Sequence, residues 1–363
     1  RPVWSRAMRF RADTPARLLW LSLLLLLALQ AQALEIGGEL MPAGQRTDIR
    51  IDIPAGPSDP RTFIPLSVLR GSEPGPTLLI VAGVHGYEFA SILAAERLAE
   101  EIQPENLTGS LVLVRVAHIP AFEDRSPFVN PYDRKNLNRS FPGKPDGTQA
   151  ERIAYALSTE VIAKADFVAD VHSGDGAEWL DAFVGVYGGP LSHRYEQALA
   201  FAKAMQFPNI VRYQMMTQEQ VDTRRSLNRQ AVAAGLPTVL IEIGQNGSRD
   251  PAHVEAIVSG IKNAMRGLAL LKGEVKDAQD EPRYFDGGQS VRVMHSGVWY
   301  PRATRGRFVK EGEVLGEIHD YTGKLVETVR SPIAGYGLYG PAGPPIRKGD
   351  SAMSIAVPID QLD

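Results

Sequence analysis

Short apolar runs alternate with amphipathic stretches from about Thr77 to Leu271, a rhythm that predicts an α/β fold. The runs Leu78–Val84, Ser110–Ala117, Phe167–Val171, Asp181–Tyr187, Ile210–Tyr213 and Thr238–Ile243 read as strands. Helices are predicted over Phe89–Ile102, Thr148–Lys164, Arg194–Met205, Ser226–Ala234 and Pro251–Leu271. In the first of these, Phe89, Ile92 and Leu93 make an apolar face and Glu96 and Arg97 a charged one, which is ordinary core packing. The expected architecture is a mixed sheet flanked by helices.

After Gly273 the texture changes. Residues 276–282 are polar and linker-like. From Arg283 onward Gly, Pro and short β runs dominate, among them Val291–Met294, Gly297–Tyr300, Val314–Ile318 and Ser354–Val357. Turn signals every few residues predict a small all-β domain. Gly306–Gly316 and Ser331–Gly335 resemble half-motifs of lipoyl- or biotinyl-type sandwiches. A carrier of that kind needs a lysine at an exposed hairpin tip, and Ser331-Pro-Ile-Ala-Gly335 has none. A structural cap is the expectation.

The N-terminal stretch has its own pattern. Arg6, Arg9, Arg11 and Arg17 precede the apolar run Leu18–Leu29, and Ala31-Gln32-Ala33 follows as a small-x-small site. The run is short for a membrane span, so residues 1–33 read as a cleavable signal peptide and the protein as periplasmic or secreted. The expected organisation is therefore 1–33 signal peptide, 34–275 catalytic domain and 283–363 β-rich domain. No later apolar run predicts a membrane span in the mature chain.

Composition narrows the chemistry. With no cysteine in the chain, any metal must be held by His, Asp or Glu. The net charge of -3 is mixed in sign and has no basic tract, which argues against nucleic acid as a partner.

Three polar segments sit just beyond the carboxyl ends of predicted strands: His85-Gly-Tyr-Glu88, Asp170-Val-His172 and Ile241-Glu242-Ile243. In an open α/β sheet that edge is where ligands bind. His85 and Glu88, three apart on the turn that starts a helix, can converge on one ion. Gly83 and Gly86 bracket the turn and permit sharp backbone angles. With His172 they make two histidines and a carboxylate, a catalytic set for one Zn2+ with an open position. Glu242 can serve as base beside the water such an ion acidifies. The oxyanion of a tetrahedral intermediate needs a cation, for which Arg125 is the candidate. Asn138 and Arg139, in the Pro/Gly-terminated loop Asn136–Gly143, offer an amide and a fork for a carboxylate. Arg225 is a candidate for a second anionic group. His118, His193, His253, His295 and His319 lack such context and read as packing or surface residues.

Taken together, His85-Gly-Tyr-Glu88, Asn136-Leu-Asn-Arg139-Ser-Phe-Pro-Gly, Asp170-Val-His172-Ser-Gly and Ile241-Glu242-Ile-Gly resemble the succinylglutamate desuccinylase/aspartoacylase family, a branch of the zinc carboxypeptidase-like fold. The resemblance covers about Thr77 to Leu271, and the β-rich tail also resembles that family's C-terminal domain. It implies zinc on His85, Glu88 and His172, Glu242 as general acid/base, and Asn138 and Arg139 as binders of the substrate carboxylate. Arg125 resembles the arginine that polarises the scissile carbonyl, and Thr223-Arg-Arg-Ser226 a stretch that holds a substrate carboxylate. The expected function is an exported zinc amide hydrolase that deacylates an N-acyl amino acid or related small amide. One rival is a carboxypeptidase acting on peptides or cell-wall stems; another is a non-enzymatic binding or assembly protein with a relic site.

Overall fold

A computed structural model describes residues 34–278 and 280–362. The signal-peptide pattern of residues 1–33 lies outside the described residues. The chain opens with β1 (Leu34–Ile36) and β2 (Glu39–Met41), an antiparallel pair, then β3 (Gln45–Ile53), β4 (Thr62–Arg70) and β5 (Glu73–Ala82). Next come α1 (Phe89–Glu101), β6 (Thr108–Val114), α2 (Ile119–Asp124), α3 (Gln149–Ala156), β7 (Phe167–Ser173), β8 (Glu178–Leu180) and β9 (Phe183–Gly188). They are followed by α4 (Tyr195–Ala204), β10 (Asn209–Gln214), α5 (Gln218–Arg224), α6 (Leu227–Ala233), β11 (Thr238–Ile243) and α7 (Pro251–Gly267). The remainder is β: β12 (Arg283–Arg292), β13 (Gly297–Pro301), β14 (Phe308–Val309), β15 (Val314–His319), β16 (Leu325–Arg330), β17 (Gly335–Pro341), β18 (Pro345–Ile346) and β19 (Ser351–Ile359).

One sheet organises the molecule, in the order β14-β17-β19-β12-β10-β9-β11-β7-β5-β6-β4-β3, with β8 paired to β17. β6, β5, β7 and β11 run parallel, and β9 lies antiparallel to β11. Period-two alternation sorts the side chains of these strands between two cores. Leu78, Ile80, Ala169, Val171 and Ile241 pack beneath α1, α4 and α7. Leu79, Val81, Val112 and Val168 pack on the other face with Ile153 of α3 and with Leu227 and Ala231 of α6. The result is a three-layer sandwich with a mixed sheet.

The structure adds elements to the expected set. β3 and β4 stand at the far edge of the sheet; Ile49, Ile51 and Ile53 alternate there with Asp48, Arg50 and Asp52. The stretch expected as one helix over Thr148–Lys164 is α-helical to Ala156, then widens to a π-turn and tightens to a 3-10 turn. α7 ends at Gly267, four residues short of the expected Leu271.

The C-terminal β region is not separated from the catalytic sheet. β12 pairs parallel with β10, Ile210 opposite Tyr284, and β19 and β17 extend the sheet from there. Phe183 and Val211 of the central strands share a buried cluster with Phe285, Leu338 and Ala356. The other C-terminal strands form a four-stranded sheet, β16-β15-β13-β18. No helix among the described residues is long and apolar enough to cross a membrane.

Candidate active site

The end of β5 delivers the first two side chains. Gly83 takes φ +67°, a left-handed conformation open to glycine. Gly86 matters for a different reason: a Cβ there would lie 2.2 Å from the Phe122 backbone nitrogen of α2. The bend therefore seats on α2, where His118 secures it. Buried His118 approaches the Val84 carbonyl oxygen with Nδ1 (3.2 Å) and takes the Asn130 amide at Nε2 (3.0 Å). Burial pushes its imidazole down to about 4, so it is neutral at ordinary pH.

His85, Glu88 and His172 meet. Glu88 Oε1 lies 2.7 Å from His85 Nδ1, and Oε2 lies 2.9 Å from His172 Nδ1. The Ser173 N–H also donates to Oε2, at 3.2 Å. One ligand atom from each residue lies within 4.8 Å of the other two, and all three residues are buried. The outer ring nitrogens are occupied. His85 Nε2 faces Asn136 Oδ1 at 3.2 Å, and His172 Nε2 faces Asp170 Oδ1 at 3.0 Å. An oxygen on Nε2 fixes the ring with its hydrogen outward and directs Nδ1 at the centre, as in metal sites with an outer shell. A His₂–carboxylate donor set of this kind fits a divalent metal.

The local field favours a cation at this point. Burial opposes charge on His172, yet Asp170 and Glu88 hold its imidazole well above the usual range. Burial likewise opposes charge on Glu88, which His172 and then His85 hold below the ordinary carboxylate range. Asp170 is itself braced by the Asn228 amide at 3.1 Å.

Glu242 stands beside His172 because β11 pairs with β7 in register, Glu242 opposite His172 and Leu240 opposite Asp170. On its other side Glu242 pairs with Phe183 of β9. Burial pushes its carboxyl well above the ordinary range; Glu88, Glu178 and Asp170 add to the rise, and His172 opposes it.

His85, Glu88, His172 and Glu242 line one cavity, together with Asn138, Arg139, Arg229, Glu178, Tyr187, Tyr213 and Tyr339. The loop that carries Asn138 and Arg139 contains a 3-10 turn, Leu137–Arg139, capped by Asn136, whose Oδ1 takes the Asn138 N–H at 2.7 Å. Asn138 Oδ1 accepts from the Leu227 N–H at 3.0 Å, which leaves its amide NH₂ as a donor for a ligand. Arg139 is anchored through Nη1 to the Asn138 carbonyl.

Two expected arginines are placed elsewhere. Arg125 is exposed, ends α2 with φ 53°, and does not line the cavity. Arg225 ends α5 with φ 47° and also does not line it. Its Nε donates to the Phe141 carbonyl at 3.1 Å while its own carbonyl accepts from the Phe141 N–H at 3.0 Å. Arg225 thus clamps the Asn138 loop to the α5–α6 corner. Both residues close their helices in a left-handed turn.

Other residues reach the cavity without having been expected there. Arg229 lies with its guanidinium carbon 5.4 Å from the centre of the Tyr187 ring. One signal was available: Leu227-Asn228-Arg229 repeats Leu137-Asn138-Arg139, and both copies line the cavity or brace it. Tyr187 and Tyr213 stack at 5.7 Å, and Gly185 leaves room for that stack, since a Cβ there would lie 2.9 Å from the Tyr213 ring. Tyr339 comes from β17, held opposite Leu180 of β8, a pairing with no local sequence signal.

Residues 74–268 match the succinylglutamate desuccinylase/aspartoacylase catalytic domain. The N-α-acetyl-L-2,4-diaminobutyric acid deacetylase of Halomonas elongata is 29% identical over 307 residues, which cover 83% of this chain and 87% of that protein. The product-bound ectoine utilization protein EutE (DoeB) of Ruegeria pomeroyi superposes with a TM-score of 0.78 at 26% identity, over 87% of this chain and 97% of that one. A succinylglutamate desuccinylase/aspartoacylase from Rhodobacter sphaeroides shares the fold at a TM-score of 0.77 and 22% identity, over 87% and 96% of the two chains. The matched span begins in β5 and ends just after α7, so it holds every strand that carries the His–Glu–His set and Glu242, and the chain belongs to the succinylglutamate desuccinylase/aspartoacylase family.

Proposed function

We propose that the chain is a zinc-dependent amide hydrolase that removes the acyl group from an N-acyl amino acid. One observation carries this reading. Donor atoms of His85, Glu88 and His172 converge at a cavity wall where Glu242 stands in register beside His172. The homologue from Halomonas elongata, a deacetylase of an N-acetylated amino acid, supports the reaction class. His85, Glu88 and His172 would hold the ion. An ion held there would supply Lewis-acid polarisation of the acyl carbonyl and a more acidic water at neutral pH.

The chain's own groups do the rest. Glu242 takes the proton of the attacking water, and a carboxyl whose affinity for protons is raised is well suited to keep it and return it. The C–N bond breaks as that proton reaches the departing nitrogen, releasing a carboxylic acid and a free amine. The Asn138 amide and the Arg139 guanidinium grip the substrate carboxylate, with Arg229 on the same cavity as a second cation. Arg125 and Arg225 take no part in this scheme. The pattern of residues 1–33 supports a periplasmic or secreted location as part of the same proposal.

The test pairs metal with the base. Chelation should abolish hydrolysis of acyl amino acids, and zinc should restore it. Glu242→Gln should lower kcat by at least about 100-fold with metal content unchanged. Near-wild-type turnover by that variant would remove Glu242 from the reaction.

A further inference from the structure

The loop after α2 turns twice before it reaches the cavity. Arg125 ends the helix at φ 53° and is exposed; Phe128, three residues on, takes φ 61° and lines the cavity. A left-handed backbone is unfavourable for a bulky side chain, and a second loop holds this one in place. The Phe128 N–H donates to Asp175 Oδ2 at 3.0 Å. Gly176 lets the two loops meet, since a Cβ there would lie 3.0 Å from Pro127 Cγ. Asp175 is itself buried, and its Oδ1 has no hydrogen-bond partner among the described residues. Burying a carboxyl group with one oxygen unpaired is also unfavourable. Two unfavourable local states thus combine to place one ring.

That ring meets the His–Glu–His set. Its centre lies 5.5 Å from the centre of the His85 ring, with the planes at 87°, an edge-to-face contact. The other wholly apolar side chains of the cavity are Leu180, Phe183 and Leu240, and Phe183 is the ladder neighbour of Glu242. In the scheme above the amino-acid half of the substrate goes to Asn138 and Arg139. The acyl carbonyl lies at the ion beside His85, so the chain that follows it meets the apolar wall. Phe128 is the part of that wall fixed against His85.

We propose that Phe128 is the specificity residue for the acyl group. Its ring closes the space beside His85 and limits the length of the acyl chain, and Asp175 is the positioning residue that holds the ring there. The inference rests on the deacylase reading. It gives the 125–128 loop a role other than the one expected of it, since a phenyl ring and not a guanidinium reaches the cavity. With the ring in place a long acyl chain has nowhere to go. With the ring removed, each further methylene gains apolar contact.

The acetyl, butanoyl and hexanoyl derivatives of L-alanine, assayed on the zinc-loaded protein, vary the acyl chain alone. The wild type should favour acetyl over hexanoyl in kcat/KM by about tenfold or more. Phe128→Ala should reverse that order, and Phe128→Tyr should keep it. Asp175→Ala should erase most of the discrimination while bound zinc, read by metal analysis, stays unchanged. Calorimetric titration with acetate and hexanoate, the acids released, needs no turnover: Phe128→Ala should bind hexanoate about tenfold or more tighter than acetate, and the wild type should not. A wild type indifferent to chain length, or a Phe128→Ala protein that loses all three activities equally, would overturn the assignment while leaving the deacylase reading standing. Wild-type discrimination in Asp175→Ala would overturn the positioning role. A wild type that hydrolyses none of the three but cleaves C-terminal peptides would overturn the deacylase reading and this inference with it. If Phe128→Ala does not fold, or the alanine derivatives turn over too slowly to rank, the acid titrations on wild type and Phe128→Leu decide.

Discussion

Glu242 draws its chemistry from its surroundings. A glutamate in water gives up its proton near pH 4 and makes a poor shuttle at neutrality. Burial beside Glu88, Glu178 and Asp170 raises its hold on the proton, and His172 keeps that rise in check. The arginines show the same dependence on context. Arg229 has an aromatic ring beneath it and a cavity in front of it; Arg125 faces solvent at a helix end. Steady-state kinetics should therefore separate them. Arg229→Ala should raise KM for acyl amino acids by about tenfold, as expected for loss of a charged contact. Arg125→Ala, a surface change, should leave kcat/KM within about twofold. Comparable losses in the two variants would return Arg125 to the site.

At the scale of elements, the site depends on strand period and register. Asp170 and His172 share one face of β7 because they are two apart, and the parallel ladder sets Leu240 and Glu242 alongside them. The second support comes from α6, whose Asn228 holds Asp170 while its Leu227 N–H holds Asn138. A short helix thus braces both the metal set and the substrate loop. Asp170→Asn keeps the shape but weakens the acceptor on His172 Nε2. Its metal affinity, read by competition with a chelator, should fall about 10- to 100-fold. Unchanged affinity would mean that Asp170 serves the fold alone.

At the scale of the whole molecule, the C-terminal β region and the catalytic region share a sheet. β12 covers the edge of β10, and Phe285, Leu338 and Ala356 close a core that includes Phe183, the ladder neighbour of Glu242. A chain ending at residue 275 would expose β10 as an open edge beside uncovered apolar side chains, a template for aggregation. Such a truncation should be insoluble or lack a cooperative melt. A sharp thermal transition with bound metal would show instead that the catalytic region folds alone.

Much of the site is legible before folding because its ligands lie at strand ends, and apolar runs mark strand ends directly. His85, Glu88, His172 and Glu242 each follow such a run, and Asn138-Arg139 sits in a loop that announces itself by Pro and Gly. What escaped is contributed across the fold. Arg125 and Arg225 look like site residues by local context and resemblance, but each closes a helix in a left-handed turn and neither lines the cavity. Glu178 and Tyr339 reach the cavity through the pairing of β8 with β17, elements more than a hundred residues apart. The sequence by itself determined the α/β rhythm, the family motifs and the residues that could hold a metal, because these depend on local order along the chain. Tertiary structure alone decided which arginines line the cavity and that a third carboxylate, Glu178, joins Glu88 and Glu242 there, because both depend on long-range register and packing.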